Sequence, residues 1–459
     1  MDLSPSPQAQ VLLAQLQRFM ADLVLPSLAD WQRWADAGEY PLDVIEPLKA
    51  SARALGLWNL CLPELRADQP GTRLGNLDYA ALAEAMGAVP WAAEVFNCNA
   101  PDSGSMGLLQ RAATPAQAAQ WLDPLLRGEI RSCFAMSEPD VASSDPTQLQ
   151  TRVVRGRGSD AGFWVLNGRK WFITGALHPL CRLAVVVARH DDDDAALPAG
   201  ADAGHARHSL LLVRMDAPGL TVERNIPLLD HAAPEGHAEL VLRDVRVPLD
   251  QLLGTPGQGF ALAQARLGPG RVHHAMRSIG QCELALALMC ERALERRSFG
   301  ARLADRANIQ EWIADSRIEI DQARLLVLRT AWRLDQHDAA MAAMAAGASQ
   351  GPTAATVAAA ASAPLTPLPA ALRADVAAIK LVSARLQQRV LDRAMQVFGA
   401  MGLSPDTPLA RLWTWGRALR ILDGPDEVHL RTVARAELRQ AEGQRGAHAL
   451  HLRHWLPAR

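Results

Sequence analysis

No Cys-x-x-Cys pair occurs anywhere in this chain of 459 residues. Its six cysteines, Cys61, Cys98, Cys133, Cys181, Cys282 and Cys290, are far apart and sit mostly among apolar neighbours. That pattern fits reduced, buried thiols in a cytosol-like compartment. A surplus of either charge is missing as well. With 47 Lys+Arg against 49 Asp+Glu, and a net charge of -2, no overall field draws the chain to nucleic acid or to an anionic membrane. No uninterrupted apolar stretch reaches the roughly 18 residues that a bilayer requires. The opening MDLSPSPQAQ lacks the basic and apolar regions of a secretory signal. A cytoplasmic protein without a transmembrane segment is the expectation, and the excess of Ala, Arg and Leu over Lys suggests a bacterial origin. No Gly-x-Ser-x-Gly elbow is present. Gly254-Thr-Pro-Gly-Gln-Gly259 has the wrong spacing for a dinucleotide loop and no βαβ unit around it, so it reads as a glycine-rich junction.

What is present is enough apolar residue, 49%, to bury more than one core. From Val11 to about Leu126, apolar residues recur every three or four positions, as in Leu12, Leu16, Met20 and in Tyr79, Leu82, Met86. That spacing predicts helices. From Arg131 the period changes. Gly162 to Thr174 reads as two strands about a type I′ turn at Asn167-Gly168, and Leu183–Val187, Leu210–Val213 and Leu240–Val247 read as further strands. After Phe260 the helical period returns, with Ile279, Cys282, Leu286, Met289 and Ala293 forming a stripe suited to a bundle. The expectation is an α+β chain with a helical domain at 1–130, a β-barrel domain at 131–250 and a helical bundle at 251–459. Asp191 to His208 and Asp338 to Ala370 read as solvated inserts, the second with parts that Ala could make helical.

Two segments stand out chemically. Phe134-Ala-Met-Ser-Glu-Pro-Asp-Val-Ala-Ser-Ser-Asp145 can offer backbone N–H groups and hydroxyls to a heteroaromatic ring or a phosphate, although alone it is an ordinary Ser/Asp turn. Lys170-Trp-Phe-Ile-Thr-Gly175 can form a hydrophobic wall edged by a hydroxyl, although alone it is strand core. His273 and His274 are adjacent, so on a helix they diverge, and no carboxylate or Cys at ligand spacing supports a metal.

Those two segments, in that order, resemble the flavin-contacting loops of the acyl-CoA dehydrogenase family. The strings SEPDVASSD, GPGRVHH and DGPDEVH look like the subgroup of family members 10 and 11. The resemblance runs from about Leu55 to Leu438 and implies a helix, β-barrel, four-helix-bundle subunit with FAD and an acyl-CoA substrate. It implies that Phe134, Met136 and Ser137 line the isoalloxazine, that Phe172, Ile173 and Thr174 cover its other side, and that Ser143 or Ser144 faces the flavin edge or the pantetheine. Arg296-Arg-Ser-Phe-Gly300 resembles the family motif whose arginine reaches the FAD pyrophosphate of a neighbouring subunit, with Ser298 and Phe299 beside it. Gln396, Val397, Gly399 and Ala400 match the turn that accepts the adenosine half. Ala400 stands where relatives carry glycine and Ala307 where many carry Gln. Glu427 is a further cofactor contact by the same resemblance, Arg271 stands at the mouth of the acyl-CoA channel, and Gly424 lies against substrate. The base position is Asp423, where most relatives have Glu. A homo-oligomer, tetramer or dimer, is implied because the FAD site needs two chains, and an electron-transfer flavoprotein is the implied acceptor. A flavin oxidase, a hydroxyacyl-CoA-processing enzyme and a non-catalytic acyl-CoA-binding scaffold are the competing readings.

Overall fold

The computed structural model describes residues 1–190, 207–348, 368–447 and 451. Helices α1 (Pro7–Phe19), α2 (Leu28–Asp36), α3 (Leu42–Ala54), α4 (Asn76–Gly87) and α5 (Asp102–Ala112) precede the sheet. Strands β1 (Arg131–Ala135), β2 (Arg152–Arg155), β3 (Phe163–Thr174), β4 (Cys181–His190), β5 (His208–Arg214), β6 (Leu220–Asn225), β7 (His237–Pro248) and β8 (Leu252–Leu253) follow. Long helices α6 (Gly259–Glu295), α7 (Ala307–Ala348), α8 (Ala370–Phe398), α9 (Leu409–Leu419) and α10 (Asp426–Gly443) come last, with a short hairpin at 297–302 between α6 and α7. The sheet order is β6-β7-β3-β2-β4-β5-β8, with β1 parallel to β4.

β4 carries Leu183, Val185 and Val187 on one face and Ala184, Val186 and Ala188 on the other, and both faces are buried. The first set joins the helical core with Leu16, Met86 and Met106. The second joins Val153, Leu166, Leu211 and Leu240 in a core that side chains of seven strands share, as a sheet coiled about its own interior produces. A strand buried on both faces reads as a continuous apolar run instead of an alternation.

Asn167-Gly168 does not turn the chain, because β3 is one continuous strand. The ladder to β7 slips between Leu166 and Gly168. Asn167 and Asp244 exchange side-chain hydrogen bonds of 3.0 and 2.8 Å there. Gly168 is needed because a Cβ would come within 2.4 Å of Thr151 Oγ1. The dipeptide that suits a type I′ turn thus serves a bulge. Of the segments expected to be inserts, residues 191–206 and 349–367 lie outside the described residues. Asp338 to Ala348 continues α7, and His208 opens β5 as a buried residue.

Helical residues Pro7–Asp36 are, by length and composition, apolar enough to cross a membrane, although no uninterrupted apolar run spans them. Arg18, Asp22 and Asp30 interrupt the run, while Leu16, Phe19, Val24 and Trp31 are buried in the protein core.

Several contacts join the first helices to the last, and two of them fix α4. The Asp335 carboxylate from α7 accepts the N–H groups of Asn76 and Leu77 at 2.7 and 2.9 Å, capping α4 where its orphan donors and positive dipole end lie. Further along, α4 and α6 touch backbone to backbone. A Cβ on Gly280 would lie 1.9 Å from Glu84 O, and one on Gly87 2.3 Å from Arg277 O. Gly280→Ala should therefore lower stability to urea by about 1–3 kcal/mol, the cost of overpacking. An unchanged unfolding midpoint would show that the helices do not approach so closely.

Candidate functional site

A cavity of about 2230 Å³ opens where the three sets of elements meet. Met136, Ser137, Ser144, Phe172 and Thr174 line one side, and Arg271, His274, Asp423 and Gly424 line another. Phe134, Ser143 and Ile173 also border it.

The sheet side is fixed by a buried ion pair. Lys170 Nζ donates to Glu138 Oε1 at 2.8 Å and to the carbonyl of Met136 at 3.0 Å. The Glu138 carboxylate also accepts the N–H groups of Gln150 and Thr151 at 2.6 and 2.9 Å. Burial pushes Lys170 down to about 8 against the pull of Glu138. Burial would raise Glu138, yet Lys170 and these donors hold it below the usual carboxylate range. Ser143 Oγ accepts the Glu138 N–H at 2.9 Å, so this hydroxyl is used inside the loop, whereas Ser144 is exposed on the cavity wall. The Ser137 carbonyl receives Trp171 N–H at 3.0 Å, tying the loop to β3.

At the end of β3, Phe172 takes a positive φ of 52° and remains 41% exposed. Ile173 is buried in the sheet core, so it offers the cavity backbone instead of a side chain. Thr174 Oγ1 lies 3.0 Å from His237 Nδ1. Arg266 places its guanidinium 4.1 Å from the Phe134 ring centroid and donates to the Pro101 carbonyl at 3.2 Å.

Opposite, Asp423 and Gly424 adopt positive φ of 55° and 99°, a conformation Asp and Gly tolerate best. Their carbonyls are caught by three helices. Arg271 Nε on α6 donates to Asp423 O at 2.9 Å, His429 Nε2 on α10 lies 3.2 Å from the same oxygen, and Lys380 Nζ on α8 donates to Gly424 O at 2.8 Å. Burial pushes Lys380 down to about 8, although Asp423 and Asp426 oppose it. The Asp423 carboxylate faces His274 Nε2 at 3.6 Å.

The remaining expected contacts do not enter this cavity. Arg296 and Phe299 are exposed, Phe299 98% so and with φ of 49°. Arg306 holds the 297–302 turn by donating to the carbonyls of Ser298 and Phe299 at 2.5 and 3.2 Å. Gln396, Gly399 and Ala400 are exposed, and Val397 is buried in the bundle core. Both turns sit at one end of the bundle, where Arg292 stacks 5.2 Å from the Phe398 ring centroid and lies 3.6 Å from Met401 Sδ. Glu427 is exposed outside the cavity, while its neighbour Asp426 is buried against Arg385 and Arg420 at 3.1 and 2.9 Å. Lys170, Glu138, Arg266, His274, Lys380 and His429 were absent from the residues expected at the site. Of these, Glu138 and Lys170 lie inside the two segments that stand out in the sequence, His429 ends the string DGPDEVH, and His274 lies three residues beyond Arg271 and thus beside it on a helix.

The chain matches the acyl-CoA dehydrogenase N-terminal domain over residues 6–129, the middle domain over 133–245 and the C-terminal domain over 257–361 and 342–438. It belongs to the acyl-CoA dehydrogenase family. It is 44% identical to the probable acyl-CoA dehydrogenase FadE2 of Mycobacterium tuberculosis over 95% of this chain and 97% of that one. It is also 44% identical to mouse acyl-CoA dehydrogenase family member 10, over 95% of this chain and 37% of that protein. With chicken family member 11 it shares 39% identity over 94% of this chain and 51% of that protein. The chain thus spans nearly all of the bacterial relative and about a third to a half of the two animal proteins. A solved structure from Mycobacterium abscessus, assigned to the acyl-CoA dehydrogenases, superposes with a TM-score of 0.80 at 42% identity, over 95% of this chain and 99% of that one. Membership brings an acyl-CoA substrate and FAD as cofactor. The residues fit that group: the wall at Met136–Ser137 and Phe172–Thr174 offers backbone, ring and hydroxyl, and His237 Nε2 on the cavity wall is buried with no hydrogen-bond partner among the described residues.

Three buried histidines, with His274 partly exposed on the cavity wall, set an acid limit on stability. Burial first, with nearby cations second, pushes His237, His274 and His429 down to about 4 and His273 to about 3, from a reference of 6.5. The folded value lies below the unfolded one, so unfolding takes up protons on acidification and stability falls as pH drops through about 6.5 toward 4. Glu94, held low by Arg131 and His178 despite burial, and Glu138 act only below their reference of 4.5. The urea midpoint should hold between about pH 6.5 and 8, above which Lys170 and Lys380 lose their protons, and decline between 6.5 and 4.5. A flat midpoint across that window would exclude neutral buried imidazoles.

Proposed function

We propose that this chain is an FAD-dependent acyl-CoA dehydrogenase that desaturates the α,β bond of an acyl thioester, with Asp423 as the base. The observation that carries the reading is that the Asp423 carboxylate borders the same cavity as the Met136–Ser137 loop and the Phe172–Thr174 strand end. FAD, when bound, supplies the acceptor for the β-hydride. The protein supplies the rest. Met136, Ser137 and Phe172 hold the ring system, Thr174 offers a hydroxyl to its edge, and Ile173 contributes backbone. Ser144 and Gly424 face the thioester. Asp423 Oδ takes the α-proton, and its pinned backbone fixes where that oxygen can reach. Arg271 serves the turn through Nε, and its remaining N–H groups serve the CoA moiety. Electrons leave to an electron-transfer flavoprotein, and the setting is a reducing, cytosol-like compartment, in keeping with six free cysteines of which five are buried.

Arg296, Ser298, Phe299, Gln396, Val397, Gly399 and Ala400 belong in this reading to the FAD site of a neighbouring copy. Their location outside their own chain's cavity and the bare Phe299 ring support it. Arg296→Glu should lower the FAD content of purified protein at least severalfold, because a guanidinium that pairs with phosphate would be replaced by a like charge. Full FAD occupancy in that variant would remove the arginine from the site.

Anaerobic mixing with butyryl-, octanoyl- and palmitoyl-CoA tests the chemistry. At least one should bleach the flavin of the unmodified enzyme. Asp423→Asn should keep FAD and thioester binding while slowing bleaching by about 10²–10⁴-fold, the range for loss of a general base. Bleaching at the unmodified rate would displace Asp423 from that role.

A further inference from the structure

We infer that His274 is a positioning residue for the base. Held by Arg277 as the imidazole with its hydrogen on Nε2, it presents that N–H to the Asp423 carboxylate and keeps the short side chain turned into the cavity. This deepens the assignment of Asp423 and rests on it.

Arg271, His274 and Arg277 follow one another at intervals of three on α6, so each is a neighbour of the next on the helix surface. Arg277 Nη2 lies 3.4 Å from His274 Nδ1 and its Nη1 donates to the Cys98 carbonyl at 3.2 Å, which anchors the guanidinium. A guanidinium carries donors only, so Nδ1 accepts, and a neutral ring then has its hydrogen on Nε2. Burial and the charge of Arg277 keep the ring neutral, pushing it down to about 4. Nε2 is the atom that faces Asp423 Oδ2, at 3.6 Å.

That separation exceeds a hydrogen bond, and such contacts tighten in the substrate complex as water leaves. The other basic groups near the carboxylate make hydrogen bonds elsewhere, although Arg266 Nε is buried without a hydrogen-bond partner among the described residues. Arg271 and Lys380 donate to the carbonyls of the turn, Arg266 donates to Pro101 O, and His429 Nε2 meets Asp423 O. Among the described residues, no other basic side chain comes within 4.0 Å of the Asp423 carboxylate. With its backbone pinned, Asp423 has two side-chain torsions left to aim it, and the imidazole N–H is the donor placed to choose between them. The groups facing His274 are Arg277 and Arg266 from its own helix, Lys380 from α8 and Asp423 from the turn. The permanent charges among them disfavour an imidazolium.

Two substitutions separate the donor from the bulk of the ring. His274→Leu removes the donor, and His274→Gln restores one near the position of Nε2. Each is purified with FAD, checked for an unaltered thermal midpoint, and mixed anaerobically with whichever of butyryl-, octanoyl- and palmitoyl-CoA bleaches the unmodified enzyme fastest. The rate is followed against thioester concentration and pH. His274→Leu should slow bleaching about 10- to 100-fold, the range for one hydrogen bond to a charged group. It should leave the half-saturating concentration within about threefold and move the acid limb of the rate profile to higher pH. His274→Gln should recover most of the rate and return the acid limb. An unmodified rate and acid limb in His274→Leu, beside a dead Asp423→Asn, would overturn the inference and leave Asp423 as base. A glutamine variant as slow as the leucine one would overturn it too, by assigning the effect to ring shape. Rapid bleaching by Asp423→Asn would remove both assignments together.

Discussion

Everything at this site hangs on a left-handed turn of two residues. Asp423 and Gly424 hold positive φ, a conformation that costs an L-residue about 1–2 kcal/mol and persists only when the surroundings over-determine it. Here they do, because Arg271, Lys380 and His429 approach the two carbonyls from three different helices. The carboxylate is thus positioned by the bundle and not by its own loop. A Cβ on Gly424 would come within 3.0 Å of His429 Nε2, so the glycine supplies both the backbone freedom and the room for the imidazole.

The facing wall is built on the opposite logic. Lys170 and Glu138 are both buried, and a buried ion pair adds little net stability after desolvation. Its value is geometric: Lys170 reaches the Met136 carbonyl while Glu138 gathers the N–H groups of Gln150 and Thr151. A loop of Ser, Pro and Asp would otherwise have many conformations to choose from. β4, buried on both faces, then couples the wall to the helical core. One side of the cavity is therefore rigid with the sheet and the other with the bundle, and the α4–α6 backbone contact at Gly87 and Gly280 keeps the two frames in register.

Periodicity made the architecture legible. Helical and strand spacings in the sequence correspond to the helices around Leu16 and Met86 and to the strands at Val185, Leu211 and Val245, because those spacings follow from which faces are buried. Asn167-Gly168 misled because positive-φ tolerance and a missing Cβ serve a bulge as well as a hairpin, and the local string does not say which. Asp338 to Ala348 reads as solvated with parts that alanine could make helical, and it continues α7 with residues 338–344 exposed, because a surface helix rich in alanine lacks large apolar residues. The resemblance supplied Asp423, Arg271 and the two loops, whereas Lys380 and Arg266 left no trace and His429 stood only as the last letter of DGPDEVH, without a role. Their significance lies in contacts across 44, 165 and 6 positions, and a buried cation in a helix looks, in sequence, like one of many solvated ones.

In the role proposed for it, Asp423 is one methylene shorter than a glutamate, and the surroundings answer that deficit in a consistent direction. With the carbonyl of Asp423 drawn toward α6 by Arg271 and the carboxylate facing His274 one turn further along the same helix, both ends of the residue are referred to α6. A longer side chain could reach substrate from several rotamers. A shorter one needs its backbone brought close and its last torsion chosen for it, and side chains three apart on a helix can act on the carbonyl and the carboxylate of one residue together. The helix that carries Arg271, proposed to face acyl-CoA, is then also the ruler against which the proposed base is set, so a shift of α6 would move both residues alike and leave their spacing unchanged.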